Sequence, residues 1–221
     1  ASRTVYISAA TKAKIDKLVH CKKTVVIPNH SVDSEFIYQE KEFNSKSPLI
    51  LQIGTSPQKN LETTIKAISE INKAGFDCCL RVIKKMNDEQ HSLARRLHIN
   101  YSNAYDLSDQ EIVEEYKNAD IVVFPSLYEG FGMPIIEAQA TGRVVLTSNL
   151  APMNWVAGKN GAMLLNDPQN VEEYSNKLKI ILNNKELRCN LIANGHENSK
   201  RFTVKNAVES YCRLYEELLK D

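Results

Sequence analysis

Two carboxylates bracket a glycine-rich turn in the stretch ADIVVFPSLYEGFGMPIIEAQATGRVVLTSN, which runs from residue 119 to residue 149. Glu129 comes immediately before the turn, and Glu137 follows at a distance that puts it about one turn inside a helix. A carboxylate is a poor phosphate ligand but a good acceptor of hydrogen bonds from sugar hydroxyls. Gly130 and Gly132 let a ligand approach the backbone without a Cβ in its way. These residue types indicate a binding site that includes sugar hydroxyls.

The elements around the turn must position it at the N-terminus of a helix. The apolar, β-branched run Ile121 to Phe124 predicts a strand buried on both faces, and Pro125 ends it. Pro134 suits the start of a helix to about Ala140, and Val144 to Thr147 predicts the next strand. A helix N-terminus attracts phosphate through its free N–H groups and partial positive charge. The βαβ unit therefore predicts a crevice for a ligand with both sugars and phosphates.

The text FPSLYEGFGMPIIEAQATGRVVLTSN resembles the signature of the family 4 retaining glycosyltransferases, which have the GT-B fold. The signature is a pair of glutamates separated by seven residues, here Glu129 and Glu137, with the GFG turn between them. The resemblance implies that Glu137 holds the ribose hydroxyls of a nucleotide-sugar and that Glu129 is a catalytic residue at the transferred sugar. It also implies that the backbone around the diphosphate is that of Gly130, Phe131, Gly132 and Met133.

A second set of residues lies in GTSPQKN, after the first strand of the main domain. The family usually has a glycine here, then a proline and a basic pair before an asparagine. The matching positions are Gly54, Pro57, Lys59 and Asn60, whereas Gln58 replaces the first basic residue and no arginine follows the glycine. The resemblance implies that Lys59, next to Gly54, reaches the diphosphate of the nucleotide-sugar as a point charge.

Strands and helices alternate from residue 48 to about residue 165, which predicts an α/β fold with a Rossmann-like, doubly wound parallel sheet. Three helices are predicted after Asp167-Pro168. The resemblance implies that these elements form one half of a GT-B architecture. We expect residues 48–221 to be the nucleotide-sugar-binding domain and residues 1–47 to be an inter-domain crossing segment and connector. The resemblance places the crossing at IPNHSVD (27–33), and the polar residues 34–48 predict a mobile connector.

Composition excludes several other classes of protein. A chain of 221 residues with a net charge of +1 gives no electrostatic reason to expect nucleic acid as a partner. The five cysteines show no CxxC spacing and the five histidines form no pair at helical spacing, so we expect no disulfide framework and no metal site. Reduced thiols predict a cytoplasmic protein. The phosphate-binding patterns of dehydrogenases and P-loop kinases and the nucleophile elbow of hydrolases are absent from the sequence.

The resemblance therefore implies the nucleotide-sugar-binding half of a retaining glycosyltransferase that needs no cofactor. The acceptor is unknown: a glycan, a lipid or a small molecule. We expect an N-terminal acceptor domain to be missing, this chain alone to be inactive in transfer, and any association with the inner membrane face to come through the missing half. Two alternatives stay open. One is a GT-B relative that hydrolyses or epimerises nucleotide-sugars, and the other is a non-catalytic nucleotide-binding module.

Overall fold

The computed structural model describes residues 3–19, 21, 23–30 and 35–220. Its strands are β1 (Thr4–Tyr6), β2 (Thr24–Val26), β3 (Leu49–Ile53), β4 (Cys79–Ile83), β5 (Asn100–Ala104), β6 (Ile121–Phe124), β7 (Val144–Ser148) and β8 (Met163–Leu165). Its helices are α1 (Ala9–Ile15), α2 (Leu61–Lys73), α3 (Asp88–Arg96), α4 (Asp109–Asn118), α5 (Met133–Ala140), α6 (Met153–Ala157), α7 (Val171–Asn183), α8 (Lys185–Ser199) and α9 (Val204–Leu218). Of the predicted crossing text, the part at 31–33 lies outside the described residues.

The main sheet has six parallel strands in the order β5-β4-β3-β6-β7-β8. The strand order reverses direction between β3 and β6, which are paired through Ile50 with Ile121 and Gln52 with Val123. This is the doubly wound order that leaves a crevice at the carboxyl ends of the two central strands. The predicted fold class is confirmed. Strands β1 and β2 form a separate parallel pair, and the division at residue 47 stays a prediction.

Both faces of the central sheet are buried, as the apolar run at 121–124 predicts. Ile121 and Val123 point into the core beneath α2 and α7, whereas Val122 and Phe124 point into the core beneath α5 and α6. All four side chains are at most 1% exposed. Strands that are buried on both faces have continuous apolar sequences rather than alternating ones, so the sequence alone predicts this burial.

The connector packs against the main domain, and the prediction of a mobile segment is wrong for residues 35–48. This stretch has no regular structure, yet the ring of Phe43 lies 4.0 Å beneath the Arg188 guanidinium and Lys41 pairs with the buried Asp120. The backbone N–H of Asn44 also donates to Asp120 (3.1 Å). Because these contacts follow no period of two or 3.6 residues, pattern reading misses them.

The contact between Tyr38 and Gly142 allows a test of connector packing. Both Gly142 (φ +77°) and Gly75 (φ +94°) have left-handed backbones, but a Cβ at Gly142 would lie 2.6 Å from the Tyr38 ring while one at Gly75 meets nothing within 4 Å. Each change to alanine therefore carries the left-handed strain, and Gly142→Ala adds an overlap. We expect Gly142→Ala to reduce the free energy of unfolding by about 1–3 kcal/mol more than Gly75→Ala. Urea titration of both variants measures the difference, and equal losses would mean that the connector is loose.

Candidate functional site

The two loops that carry the predicted site residues meet at the carboxyl ends of β3 and β6. The Leu127 N–H donates to the Gln58 carbonyl (2.8 Å), which ties the loop after β6 to the loop after β3. The buried Asn60 side chain adds a bond from its amide nitrogen to the Pro125 carbonyl (3.2 Å). Asn60 itself has a left-handed backbone (φ +59°), a conformation that asparagine tolerates better than most residues. These bonds bring residues 59 and 129 together.

Lys59 and Glu129 form an ion pair across the crevice, with Nζ 2.5 Å from Oε1. Their side chains are 21% and 17% exposed, so the pair is open to solvent at one side. The Lys59 ammonium also lies 4.6 Å from the centre of the Phe124 ring. A Cβ at Gly54 would come within 2.8 Å of the Lys59 Cγ, so this glycine leaves room for the lysine stem. An anion that uses Lys59 must compete with Glu129 for it.

The backbone of the glycine turn presents unused N–H groups. Gly132 has a positive φ of +121° and is the N-cap residue of α5. Because glycine has no side chain, no side-chain hydrogen bond caps the helix there. Pro134 has no N–H, and the Ile135 N–H donates to the Gly132 carbonyl (3.1 Å). Within the described residues, no hydrogen bond is donated by the backbone N–H of Gly130, Phe131, Gly132 or Met133. These N–H groups can therefore donate to an anionic oxygen without breaking an existing hydrogen bond.

The turn is held in place by the first residues of the chain. The Gly130 carbonyl accepts bonds from the Ser8 hydroxyl (2.8 Å) and the Thr11 hydroxyl (3.0 Å). Ser8 is also the N-cap of α1, since its oxygen accepts from the Thr11 N–H. In a trans peptide the carbonyl and the next N–H point in opposite directions, so these bonds aim the Phe131 N–H away from α1.

The Phe131 side chain faces the core rather than the crevice. It is 3% exposed, and its ring packs edge-on against Phe202 (5.5 Å between centroids) and against Trp155 (6.4 Å). Arg201 lies 4.8 Å over the Trp155 ring and closes the cluster. Met133, by contrast, is partly exposed at the start of α5. Phe131 can contribute only its backbone to a ligand, whereas Met133 can contribute side chain and backbone.

Glu137 lies on α5, where its carboxyl is bonded to the hydroxyl of Tyr116 on α4. The tyrosine donates to Oε2 at 2.5 Å, and the tyrosine is fully buried while the glutamate is partly exposed. Burial raises the pKa of the Glu137 carboxyl above its ordinary value, and the hydrogen bond from Tyr116 opposes this shift. Burial, and then the Glu137 charge, raise the pKa of Tyr116 well above its ordinary value. Tyr116 therefore keeps its proton and acts as the donor.

Sequence reasoning missed Tyr116, Ser8 and Thr11 as parts of this site. Tyr116 carried a weak signal, because it is a hydroxyl-bearing side chain on the inward face of α4, where Val113 is also buried. Ser8 and Thr11 carried none, because they lie more than one hundred residues from the turn, with sequence separations of 122 and 119. Only the packing of α1 against the turn reveals them.

A cavity of about 530 Å³ lies at the opposite edge of the sheet, beside the amino ends of β6 and β7. Its buried arginines are engaged by helix ends: Arg143 donates to the Thr141 carbonyl (2.9 Å), and Arg188 donates to the carbonyls of Ile181 and Leu182 (both 2.8 Å). Cations at helix C-termini stabilise the helix dipole. These residues therefore have a structural role, and the cavity is separate from the predicted site.

Neither a metal cluster nor a membrane-spanning helix is found in the part of the chain that the structure describes. No group of three or more His, Cys, Asp or Glu side chains among these residues is arranged to hold a metal ion. No helix in residues 3–19 or 35–220 is long and apolar enough to cross a bilayer. The absence of a metal requirement stays a prediction.

Comparison with known proteins gives consistent matches. The family model described as "Glycosyl transferases group 1" matches residues 33–198. An uncharacterized glycosyltransferase of Methanocaldococcus jannaschii is 26% identical over 220 residues, covering 98% of this chain and 60% of that protein. Sucrose-phosphate synthase from Thermosynechococcus elongatus superposes with a TM-score of 0.86 at 20% identity, over 100% of this chain and 59% of the other.

A further solved structure, HepE from Anabaena in complex with UDP and glucose, superposes with a TM-score of 0.83 at 17% identity. It is matched over 98% of this chain and 64% of the other. At these identities the two solved structures show the fold alone. The chain spans about 60% of the length of the relative and of the sucrose-phosphate synthase that it matches.

Proposed function

The chain belongs to the family of group 1 glycosyl transferases, and we propose that it binds the nucleotide-sugar substrate of a retaining glycosyl transfer. The observation that carries the proposal is the composition of the crevice between β3 and β6. A lysine, a run of unused backbone N–H groups and a carboxylate converge there from two loops, and α5, which begins at the turn, carries a second carboxylate. Such a set suits a ligand with a diphosphate between two sugars.

In the proposed complex each group acts on a different part of the substrate. Lys59 and the N–H groups of the turn hold the diphosphate and stabilise its negative charge as it departs. Glu137 accepts hydrogen bonds from the ribose hydroxyls. Glu129 lies at the transferred sugar, where a carboxylate stabilises the positive charge that develops at the anomeric carbon. Lys59 exchanges its bond to Glu129 for one to phosphate, which releases the glutamate toward the sugar.

We further propose that a second domain outside this chain binds the acceptor and completes the cleft. The lengths of the relatives support this, because the chain covers only 60% of the Methanocaldococcus protein. A glycan, a lipid or a small molecule fits this proposal equally. We also propose a cytoplasmic location, which the free cysteines support, with any membrane contact made through the second domain.

Isothermal titration calorimetry with UDP, GDP and ADP tests the proposed function. We expect one of these nucleotides to bind the 221-residue chain, in the presence of EDTA as well as Mg²⁺, because amides and a lysine replace a metal at the phosphates. UDP is the first to test, since the similar HepE structure contains it. We also expect no transfer from the matching nucleotide-sugar to added sugars or lipids. Failure of all three nucleotides to bind would contradict the proposal, and loss of binding in EDTA would contradict its metal-free form.

A further inference from the structure

The Tyr116 hydroxyl donates a hydrogen bond to the Glu137 carboxyl, and none of the roles proposed above accounts for this contact. We propose that Tyr116 is a positioning residue, whose hydroxyl holds one carboxylate oxygen of Glu137 so that the other faces the ribose hydroxyls of a bound nucleotide. The proposal deepens the proposed function and rests on it. It assigns no contact between Tyr116 and the ligand, since the tyrosine is fully buried.

The geometry is asymmetric in the way that such a role requires. Tyr116 reaches Oε2 of Glu137 at 2.5 Å from the buried side, and no described residue bonds to Oε1. Oε1 is also not among the buried polar atoms that lack a partner, so solvent reaches it. Oε2 is therefore held by a hydrogen bond, whereas Oε1 is open to solvent.

The tyrosine ring is itself fixed from the connector. Phe36 packs edge-on against it, with ring centroids 5.5 Å apart and planes at 84°. An edge-to-face pair is a favourable aromatic geometry that stabilises the ring in this orientation. A hydroxyl on a fixed ring defines the position of its acceptor better than a solvent molecule does. The chain of contacts thus runs from Phe36 through Tyr116 to Glu137.

The hydrogen bond from Tyr116 also affects the pKa of the Glu137 carboxyl. Among residues 3–19, 21, 23–30 and 35–220, Tyr116 is the titratable group whose hydrogen bond or charge acts on Glu137. Its hydroxyl lowers the pKa of the carboxyl against the effect of burial. Removing the hydroxyl should let that pKa rise further, so Glu137 would lose its charge at a higher pH.

The decisive experiment compares UDP with 2′,3′-dideoxy-UDP, or the same pair for whichever base binds. Wild-type protein should prefer the ribonucleotide, and Tyr116→Phe should reduce this preference by about three- to tenfold. As the pH is lowered, the preference for ribose that remains in Tyr116→Phe should disappear at a higher pH than it does in the wild type. Calorimetry across the acid range measures both quantities.

Tyr174→Phe is the matched control. Tyr174 is also fully buried, and its hydroxyl bonds to Thr64 (3.1 Å) in another part of the core. This control should lose stability without changing the preference for ribose. If Tyr116→Phe does not fold, Phe36→Leu keeps the hydroxyl but loosens the ring, and it should reduce the preference by a smaller factor than that expected for Tyr116→Phe.

Equal losses for the two nucleotides in Tyr116→Phe would overturn the positioning role and leave a structural hydroxyl. An unchanged preference for ribose in Phe36→Leu would overturn it as well. The proposed function fails in a different way: wild-type protein would then bind neither nucleotide, or would bind both equally, and the inference would fall with it.

Discussion

Replacing Glu137 by alanine should weaken the binding of a nucleoside, its monophosphate and its diphosphate by similar factors. The reason is that ribose is common to all three ligands, and a hydrogen bond to a charged group is worth about 1.5–3 kcal/mol, or roughly ten- to a hundredfold in affinity. Calorimetry with uridine, UMP and UDP, or the equivalents for another base, gives three ratios of dissociation constants. A loss confined to the diphosphate would remove Glu137 from the ribose.

Glu137→Gln is the control that separates binding from folding. Its amide oxygen still accepts hydrogen bonds, but without charge, so affinity should fall by about three- to tenfold rather than by the larger factor. Burial raises the pKa of the Glu137 carboxyl, because the folded protein solvates the charged form poorly. The variant should therefore be at least as stable as the wild type above that pKa. The difference in unfolding free energy should vanish as the pH falls below the ordinary carboxyl range, where both states are protonated.

Replacing Lys59 by methionine should leave nucleoside binding unchanged and weaken diphosphate binding about ten- to a hundredfold. The methionine keeps an apolar stem beside Gly54 and Phe124 but removes the ammonium. The loss should shrink as salt is raised, although less than for a surface lysine, because only 21% of the side chain is exposed. Binding should not vanish, since the N–H groups of the turn remain. Titrations with uridine, UMP and UDP at low and high salt measure these effects.

Glu129→Gln breaks the same ion pair from the other side and is the matched control for Lys59→Met. It leaves the cation in place and removes the anion that competes with phosphate, so UDP should bind at least as tightly as in the wild type. If both variants lost UDP affinity equally, the ion pair would be acting through loop structure. If Lys59→Met weakened all three ligands equally, Lys59 would not lie at the phosphates.

The amino-acid sequence was enough to predict the fold class and the region of the candidate site. Apolar runs such as 121–124 predicted strands with both faces buried, and Pro134 predicted the start of α5. Strands that alternate with helices form a parallel sheet, and right-handed crossovers leave few possible orders. The glycine turn and the Lys59 loop each follow a strand, so both had to lie at the carboxyl edge. All of these signals are local or periodic.

The contacts between side chains, by contrast, become visible in the folded structure alone. The ion pair between Lys59 and Glu129 joins residues 70 apart, and the bond from Ser8 to the Gly130 carbonyl joins residues 122 apart. Both depend on which strands are neighbours and on how loops pack over them, and no short-range pattern encodes such contacts. The same is true of Phe36 and Tyr116, where an aperiodic segment fills a gap beside α4. The physical reason is that periodicity reports which face of an element is buried, whereas a contact requires two elements to be placed first.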